Sequence, residues 1–441
     1  MMARRVGMVS LGCAKNLINS EQMLWLLNDA GYELTGDLAE AEYLVINTCG
    51  FIESSKTEAI DNILEFAELK KEGRLKKIIV AGCLPERYRE EVLKELPEVD
   101  AVVGCGSYGE IVEVIKEVEM GAVVARFGDI NAPVEETDRV ITSGDGWAYI
   151  KIAEGCDNHC SYCVIPSLRG KYRSRPMEGI LREAKELAEQ GVKELIVVAQ
   201  DITRYGMDNY GRKMLSELIR ELCKIEGFHW IRLHYLYPEL VDDELIETIA
   251  TEEKVVKYLD IPIQHINTGI LKKMNRRGTG EEIEALFTKL RERIPGLVIR
   301  TSIITGLPGE GEEEFEELCE FLRRAKIERA GVFAFSPEEG TPAAEMEYPE
   351  REVAEHRAEL LVDIQSDIID EFNESRMGKT IEVLCEDFDR LAECWYGRSY
   401  ADSPEVDGKI FFTGKGLRPG EFVNVLITDT IDGDLMGEAV L

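Results

Sequence analysis

Three cysteines lie close together near the middle of the chain, in the spacing C-x-x-x-C-x-x-C. They are Cys156, Cys160 and Cys163, and they follow the apolar run 147–152. Three thiolates on one short loop are suitable ligands for a soft metal centre. A [4Fe-4S] cluster is normally held by four thiolates, so three would leave one iron open for another ligand. The alternative is a structural zinc site, which would need a distant fourth ligand.

A second set of cysteines ends three apolar runs near the amino terminus. Cys13, Cys49 and Cys83 each follow a short run that predicts a β-strand, and helical patterns separate the runs. The carboxyl ends of parallel strands meet at one edge of a sheet, where ligands bind, so we expect these thiols to converge. The alternative is three buried thiols, which are common inside proteins.

Cys105 follows a fourth apolar run, inside the segment Gly104–Gly109, which has the spacing G-x-G-x-x-G. Between a strand and a helix this spacing is typical of a dinucleotide-binding loop, and Asp129 stands at a plausible distance for a ribose contact. The motif follows the fourth run rather than the first, and turn glycines also explain it. Cys105 itself is either a fourth cluster ligand or a buried thiol.

The elements that must position these residues are short apolar runs that alternate with helical patterns. This alternation predicts an α/β multidomain protein. The first part predicts a parallel α/β sheet domain with strands at 6–11, 43–47, 77–81 and 101–103. A polar linker precedes six further strand–helix repeats, which predict a partial (β/α)6 barrel, and the last segment predicts a small antiparallel β-barrel. The predicted boundaries are 4–127, 128–141, 142–375 and 376–441.

Chemistry in such a barrel takes place at the carboxyl ends of its strands. The cysteine loop lies after the first predicted strand, and arginines 169, 173 and 175 follow it. Other polar residues end the next strands: Gln200, Asp201, His234, Tyr235, Gln264, His265 and the segment Gly306–Glu310. Each has a structural alternative, as a capped strand end, a turn glycine or a solvated arginine.

The charge of the chain restricts its partners. Its 441 residues include 52 Lys and Arg against 85 Asp and Glu, a net charge of −33. Such a chain repels a phosphate backbone, so nucleic acid binding is not expected to dominate. It would attract a basic partner. Solubility alone is the alternative explanation.

Cysteine usage and hydropathy indicate the compartment. Eleven cysteines, an odd number in a long chain, favour a reducing environment with metal or catalytic use. The apolar start is too short for a secretory signal. No run approaches the roughly 18 apolar residues of a membrane span. We therefore predict a cytoplasmic protein with no membrane partner.

With Tyr162 as the aromatic residue before its third cysteine, the loop resembles the signature of radical S-adenosylmethionine (SAM) enzymes. The resemblance implies that the open iron of the Cys156/Cys160/Cys163 cluster binds SAM, whose reductive cleavage gives a 5′-deoxyadenosyl radical. It also implies that Tyr162 lies near the adenine. Three further SAM-binding residues follow from the family's glycine-rich segment: Gly306, Pro308 and Gly309.

The last segment resembles a TRAM domain, a small barrel that usually contacts RNA. Residues 376–441 carry seven Lys and Arg against thirteen Asp and Glu. This charge is unfavourable for RNA and suits a basic protein.

The combination resembles the radical SAM methylthiotransferases over essentially the whole chain. The resemblance implies a second, auxiliary [4Fe-4S] cluster on Cys13, Cys49 and Cys83, which delivers sulfur. It also implies two SAM molecules and an electron donor such as flavodoxin or ferredoxin. Both clusters are then expected to face one substrate pocket. Catalytic residues beyond the clusters are not identified.

Several stretches resemble the branch that modifies the β-carbon of an aspartate in small-subunit ribosomal protein twelve. They include Ser10–Glu21, Leu259–His265 and Ala401–Gly408, and Asp201 stands where the tRNA-modifying branch usually has Asn. One alternative is a methylthiotransferase that acts on an adenosine of tRNA. Another is an iron–sulfur electron-transfer or scaffold protein without radical chemistry.

Overall fold

A computed structural model describes residues 4–440 and divides the chain into two compact units. The first unit comprises the chain up to Thr142, Ala153–Arg175 and Ser336–Thr341. The second unit comprises Ser143–Ile152, Pro176–Phe335 and the chain from Pro342 onward. Within residues 4–440, every helix is too short or too polar to cross a membrane.

The first unit contains a six-stranded parallel sheet in the order β2-β1-β3-β4-β5-β6. Its strands are β1 (Arg5–Ser10), β2 (Glu33–Leu34), β3 (Tyr43–Thr48), β4 (Lys77–Gly82), β5 (Ala101–Val103) and β6 (Val124–Arg126). Its helices are α1 (Ala14–Asp29), α2 (Glu53–Lys71), α3 (Cys83–Tyr88), α4 (Glu91–Glu95) and α5 (Ile111–Glu119). The predicted parallel α/β domain is confirmed.

Both faces of this sheet are buried, because successive side chains of a strand point to opposite faces. Leu44 and Ile46 of β3 pack in one core with Ile63 of α2. Val45, between them, packs in the other core with Met23 of α1. The helices on the two faces therefore fix the register of the strands, and with it the positions of the residues that follow each strand.

The segment with the C-x-x-x-C-x-x-C loop follows strand β7 (Trp147–Lys151) and belongs to the first unit. It contains β8 (Ala153–Glu154), the short helix α6 (Ile165–Arg169) and β9 (Arg173–Ser174), and β8 pairs antiparallel with β9. The pairing closes the segment into a loop whose two ends lie side by side.

The second unit contains an open parallel sheet of six strands, in the order β14-β13-β12-β11-β10-β7. Its other strands are β10 (Glu194–Val198), β11 (Trp230–Leu233), β12 (Val255–Asp260), β13 (Val298–Thr305) and β14 (Arg329–Ala334). The intervening helices are α7 (Met177–Glu189), α8 (Leu215–Cys223), α9 (Asp243–Thr251), α10 (Thr268–Lys273), α11 (Gly280–Arg293) and α12 (Glu312–Ala325). The long helix α13 (Arg351–Glu374) packs against β14. The order and the open edges confirm the predicted partial barrel.

The chain ends in a closed five-stranded barrel, as predicted. Its strands are β15 (Thr380–Asp389), β16 (Cys394–Arg398), β17 (Ile410–Thr413), β18 (Phe422–Ile431) and β19 (Asp434–Ala439). Four of its strand pairs are antiparallel, whereas β17 and β19 pair in parallel. That parallel pair closes the sheet and leaves no open edge.

A buried ion-pair network joins this small barrel to the sheet of the second unit. The Glu194 carboxylate accepts hydrogen bonds from Nε of Arg232 at 2.6 Å and from Nη2 of Arg398 at 2.8 Å. Glu194 and Arg232 are fully buried. Burial alone raises the pKa of Glu194, but the two guanidinium groups outweigh it and hold that pKa below its ordinary value.

The loop between β16 and β17 also lies against one face of the sheet. Arg232 donates to the carbonyl of Tyr400 at 2.8 Å, and Tyr258 donates to Asp407 at 2.6 Å. Arg329 of β14 donates to Asp402 at 2.6 Å. The loop of the small barrel therefore supplies the polar partners of side chains that point from three strands of the sheet.

We expect Glu194→Gln to lower the free energy of unfolding by about 3–5 kcal/mol, because it removes the carboxylate that two buried guanidinium groups share, although Arg398 keeps its ion pair with Glu386. Urea unfolding followed by tryptophan fluorescence measures this loss, and Trp147 lies under the Arg398 guanidinium. The contribution of Glu194 is fully present above the ordinary glutamate pKa of about 4.3 and is lost as pH falls through the lower folded pKa.

The matched control is Glu284→Gln, which breaks an exposed ion pair with Arg324. We expect that change to cost less than about 1 kcal/mol. Equal losses in the two variants would contradict a special role for the buried network.

Candidate functional site

The three amino-terminal cysteines follow neighbouring strands of the first sheet. Cys13 is the residue before α1, Cys49 follows β3, and Cys83 is the first residue of α3, directly after β4. None of the three is in a disulfide bond. Because β1, β3 and β4 are adjacent and parallel, their carboxyl ends bring these cysteines to one edge.

Glycines allow the three strand ends to approach closely. An ideal Cβ on Gly12, which has a φ of +89°, would lie 2.7 Å from the Cβ of Cys49. An ideal Cβ on Gly50 would lie 2.9 Å from the carbonyl oxygen of Cys83. A side chain at either position would push the cysteine-bearing segments apart, so glycine is required there for steric reasons.

The thiols influence one another electrostatically. Burial, with further contributions from Cys83 and Cys13, raises the pKa of Cys49 to about 11. A hydrogen bond from Cys105 lowers the pKa of Cys83 to about 6, with burial opposing it and Arg169 adding to it. Cys13 is exposed. The sheet edge that carries the three cysteines is therefore open on the Cys13 side.

The C-x-x-x-C-x-x-C loop is fixed by its own backbone. The N–H of Cys156 donates to the carbonyl of Gly170 at 3.1 Å, and the N–H of Cys163 donates to that of Cys160 at 3.0 Å. His159, between the first two cysteines, adopts a left-handed conformation with a φ of +49°. Cys156 and Cys160 are buried and Cys163 is half-buried. The loop thus presents three thiols from one tightly folded turn.

The two sets of cysteines belong to the same compact unit, and Cys83 of the first set packs against residues that follow the second. Cys83 packs in one cluster with Val164 and Leu168, which directly follow the loop. Nη2 of Arg169 lies 3.3 Å from the sulfur of Cys83. The solvated-loop alternative for Arg169 is wrong, since this side chain is only 3% exposed.

Sequence reasoning missed two asparagines at this contact. Asn16 and Asn19, on the first turns of α1, accept hydrogen bonds from Arg169 through their side-chain oxygens, at 3.0 and 2.8 Å. Their signal in the sequence is a polar residue on the buried side of a helix, three and six positions after a candidate ligand.

The contacts of Gly104–Gly109 argue against the alternative that this segment is a dinucleotide-binding loop. The N–H of Cys105, which a phosphate would need, donates instead to the carboxylate of Glu86 at 2.8 Å. An ideal Cβ on Gly104 would lie 2.2 Å from the same carboxylate, so this glycine permits close packing. The sulfur of Cys105 lies 4.0 Å from that of Cys83.

The glycine-rich segment after β13 lies in the second unit, whereas half-buried Tyr162 lies in the first. Gly306 has a φ of +78°, and an ideal Cβ there would lie 2.3 Å from the Cβ of Ala354 on α13. The Glu310 carboxylate accepts from the N–H of Gly306 at 2.9 Å and from Arg357 at 2.9 Å. Pro308 and Gly309 therefore lie in a turn that a buried glutamate and α13 hold in place.

Two other strand-end residues have structural roles. The Asp201 carboxylate accepts from the N–H of Thr203 and caps the short helical turn after β10. Nδ1 of His265 accepts from the N–H of Asn267 at 2.9 Å, and its Nε2 lies 3.3 Å from Glu310. For both residues these contacts agree with the structural alternative to a functional role.

The donor atoms of both cysteine sets are thiol sulfurs. Within residues 4–440, no three His, Cys, Asp or Glu side chains form a cage sized for one ion. Each site offers three thiols, and thiolates are the ligands that Fe–S clusters use. The chemistry of both donor sets therefore fits iron–sulfur clusters.

Family models match three parts of the chain. They are described as the radical SAM superfamily for residues 150–322, the uncharacterized protein family UPF0004 for residues 5–104 and the TRAM domain for residues 377–440. Members of the radical SAM superfamily hold a [4Fe-4S] cluster and SAM.

Solved structures show the same fold at low identity. The radical SAM methyltransferase TsrM from Kitasatospora setae aligns with a TM-score of 0.57 at 16% identity, over 78% of this chain and 77% of that one. The cobalamin-dependent radical SAM enzyme OxsB aligns with a TM-score of 0.51 at 13% identity, over 82% of this chain and 56% of that one.

Curated relatives match at high identity over their full length. The ribosomal protein uS12 methylthiotransferase RimO of Lachnoclostridium phytofermentans is 50% identical over 99% of this chain and 100% of its own. The protein of that name from Thermoanaerobacter sp. is 49% identical, and that from Clostridioides difficile is 47% identical, each over 99% of this chain and at least 99% of its own. The chain therefore belongs to the RimO family of ribosomal protein uS12 methylthiotransferases.

Proposed function

We propose that this protein is a radical SAM methylthiotransferase that inserts a methylthio group at the β-carbon of an aspartate in ribosomal protein uS12. The proposal rests on the two sets of three cysteines, which lie in one compact unit. The chain that carries them is 50% identical to a uS12 methylthiotransferase. The net charge of −33 agrees, since ribosomal proteins are basic and tRNA is not.

The family and the geometry support a finer assignment of residues. Cys156, Cys160 and Cys163 would hold the SAM-binding [4Fe-4S] cluster, and Cys13, Cys49 and Cys83 an auxiliary one. When bound, these groups supply a 5′-deoxyadenosyl radical and the methylated sulfur. Tyr162, Gly306, Pro308 and Gly309 would contact SAM.

The chain's own residues hold this chemistry in place and keep water out. Burial of Cys83, Cys156 and Cys160 excludes solvent from the inner side of both thiol sets. Glu310 fixes the turn at Gly306 through its hydrogen bonds, so a ligand there meets a preformed backbone.

The domain assignment, the electron donor and the compartment belong to the same proposal. The functional domains are 4–127, 142–375 and 376–441, joined by the linker 128–141, and each family model matches inside one of them. Flavodoxin or ferredoxin would supply electrons. A ribosomal protein substrate places the reaction in the cytoplasm.

We expect anaerobically reconstituted enzyme, given reductant and SAM, to add the mass of one methylthio group to an aspartate of uS12. Mass spectrometry of uS12 measures the product, and chromatography measures 5′-deoxyadenosine. Cys156→Ala should abolish both, because it removes a ligand of the radical-generating cluster. Cys13→Ala should abolish the product but retain 5′-deoxyadenosine.

Cys394→Ala serves as the matched control, since this half-buried thiol lies on β16 of the small barrel, outside both thiol sets. It should retain both products. Methylthiolation of tRNA instead of uS12 would contradict the substrate assignment, and loss of 5′-deoxyadenosine in Cys13→Ala would contradict the division of roles.

We also expect iron analysis to separate the two clusters. The reconstituted chain should hold about eight irons, two clusters of four, and the Cys156→Ala/Cys160→Ala/Cys163→Ala triple variant about four. The Cys13→Ala/Cys49→Ala/Cys83→Ala triple variant should also hold about four. A chain with about four irons that are all lost in one triple variant would leave no auxiliary cluster.

The acidic carboxyl-terminal barrel should accelerate binding of uS12. Neutralising its exposed carboxylates, Asp387→Asn, Glu393→Gln and Asp432→Asn together, should slow association roughly tenfold at low salt, because negative charges on the surface attract and steer a basic partner. Surface plasmon resonance at two salt concentrations measures the association rate.

The control neutralises three exposed carboxylates on α2 of the first unit, Glu58→Gln, Asp61→Asn and Glu65→Gln. An equal slowing in both variants would assign the effect to net charge rather than to the barrel.

A further inference from the structure

Arg169 has an unusual position for an arginine. It is the last residue of α6, the short helix that begins two residues after Cys163. Its side chain is 3% exposed, although it follows the loop in a stretch rich in serine and arginine. A buried guanidinium is costly unless its hydrogen-bond donors find partners, so its surroundings indicate its role.

Arg169 contacts segments that belong to both thiol sets. Nη1 donates to the side-chain oxygen of Asn19 at 2.8 Å and lies 3.5 Å from the carboxylate of Glu154, two residues before Cys156. Nη2 donates to the side-chain oxygen of Asn16 at 3.0 Å and to the sulfur of Cys83 at 3.3 Å. One planar group thus links α1, α3, β8 and α6.

The contact with sulfur distinguishes Arg169 from an ordinary structural arginine. The amide oxygens of Asn16 and Asn19 are neutral, and the Glu154 carboxylate lies at the far end of the hydrogen-bond range. The fourth partner is a candidate cluster ligand. Hydrogen bonds to cluster sulfurs and nearby charge are two of the factors that set the reduction potential of an iron–sulfur cluster.

We propose that Arg169 is a positioning residue for the auxiliary cluster. Its side chain holds Cys83 in place and stabilises the reduced cluster through a charged hydrogen bond to the sulfur of Cys83. A cationic donor favours the form that carries one more electron, so it raises the midpoint potential. This inference rests on the proposed auxiliary cluster. One side chain then links the two cysteine sets and also adjusts the midpoint potential of the auxiliary cluster.

The test uses the full chain with Cys156→Ala, Cys160→Ala and Cys163→Ala as the parent, so that the auxiliary cluster is observed alone. Arg169→Gln and Arg169→Lys are added to it. A redox titration followed by electron paramagnetic resonance measures the midpoint potential, and iron analysis measures loading. We expect Arg169→Gln to lower the midpoint potential, and Arg169→Lys, which keeps the charge, to lie between Arg169→Gln and the parent.

The control is Arg126→Gln, which removes a guanidinium of the same unit that pairs with Glu110 and Glu117. It should leave the potential of the parent unchanged. If Arg169→Gln does not hold iron, the midpoint potential of Arg169→Lys is compared with that of the parent, and this comparison tests the inference.

Three results would overturn the inference. They are a parent-like potential in both Arg169 variants, a parent-like potential in Arg169→Lys when Arg169→Gln does not load, and an equal shift in Arg126→Gln. A parent that binds no iron would overturn the auxiliary cluster itself, so the two failures are distinguishable. A purely structural role for Arg169 would change loading without changing the potential of the loaded fraction.

Discussion

The structure of the first unit depends on the parallel direction of its strands. Cys13, Cys49 and Cys83 are distant in sequence, and they become neighbours only because β1, β3 and β4 end at the same edge. Packing of helices on both faces fixes the strands in register, and glycines at positions 12 and 50 let the ends approach. A change in strand order or in the size of these residues would separate the thiols without altering any of them.

The second thiol set is organised in a different way. Cys156, Cys160 and Cys163 need no sheet edge, since one loop with a left-handed His159 and two backbone hydrogen bonds presents them together. The short pair β8–β9 closes the segment that contains this loop and α6. The chain thus combines a long-range site and a local one in a single unit.

The two cysteine sets can be recognised in the sequence because cysteines at strand ends and at short spacing are local signals. The sequence could not predict β2 and β6, which have two and three residues and therefore show no periodicity. It also left Arg169 undecided, because its neighbours are polar and its burial depends on partners more than a hundred residues away. Buried ion pairs such as Glu194 with Arg398 are hidden for the same reason, since each residue alone resembles a surface charge.

The loop between β16 and β17 has a consequence for the evolution of the family. Its carbonyl and carboxylate groups satisfy side chains from the neighbouring sheet, including Arg232, Tyr258 and Arg329. A small barrel borrowed from another protein would bring a foreign loop and remove these partners, including the Asp402 carboxylate that pairs with Arg329. The outer surface of the barrel can therefore vary more readily, whereas this loop and the sheet must change in step.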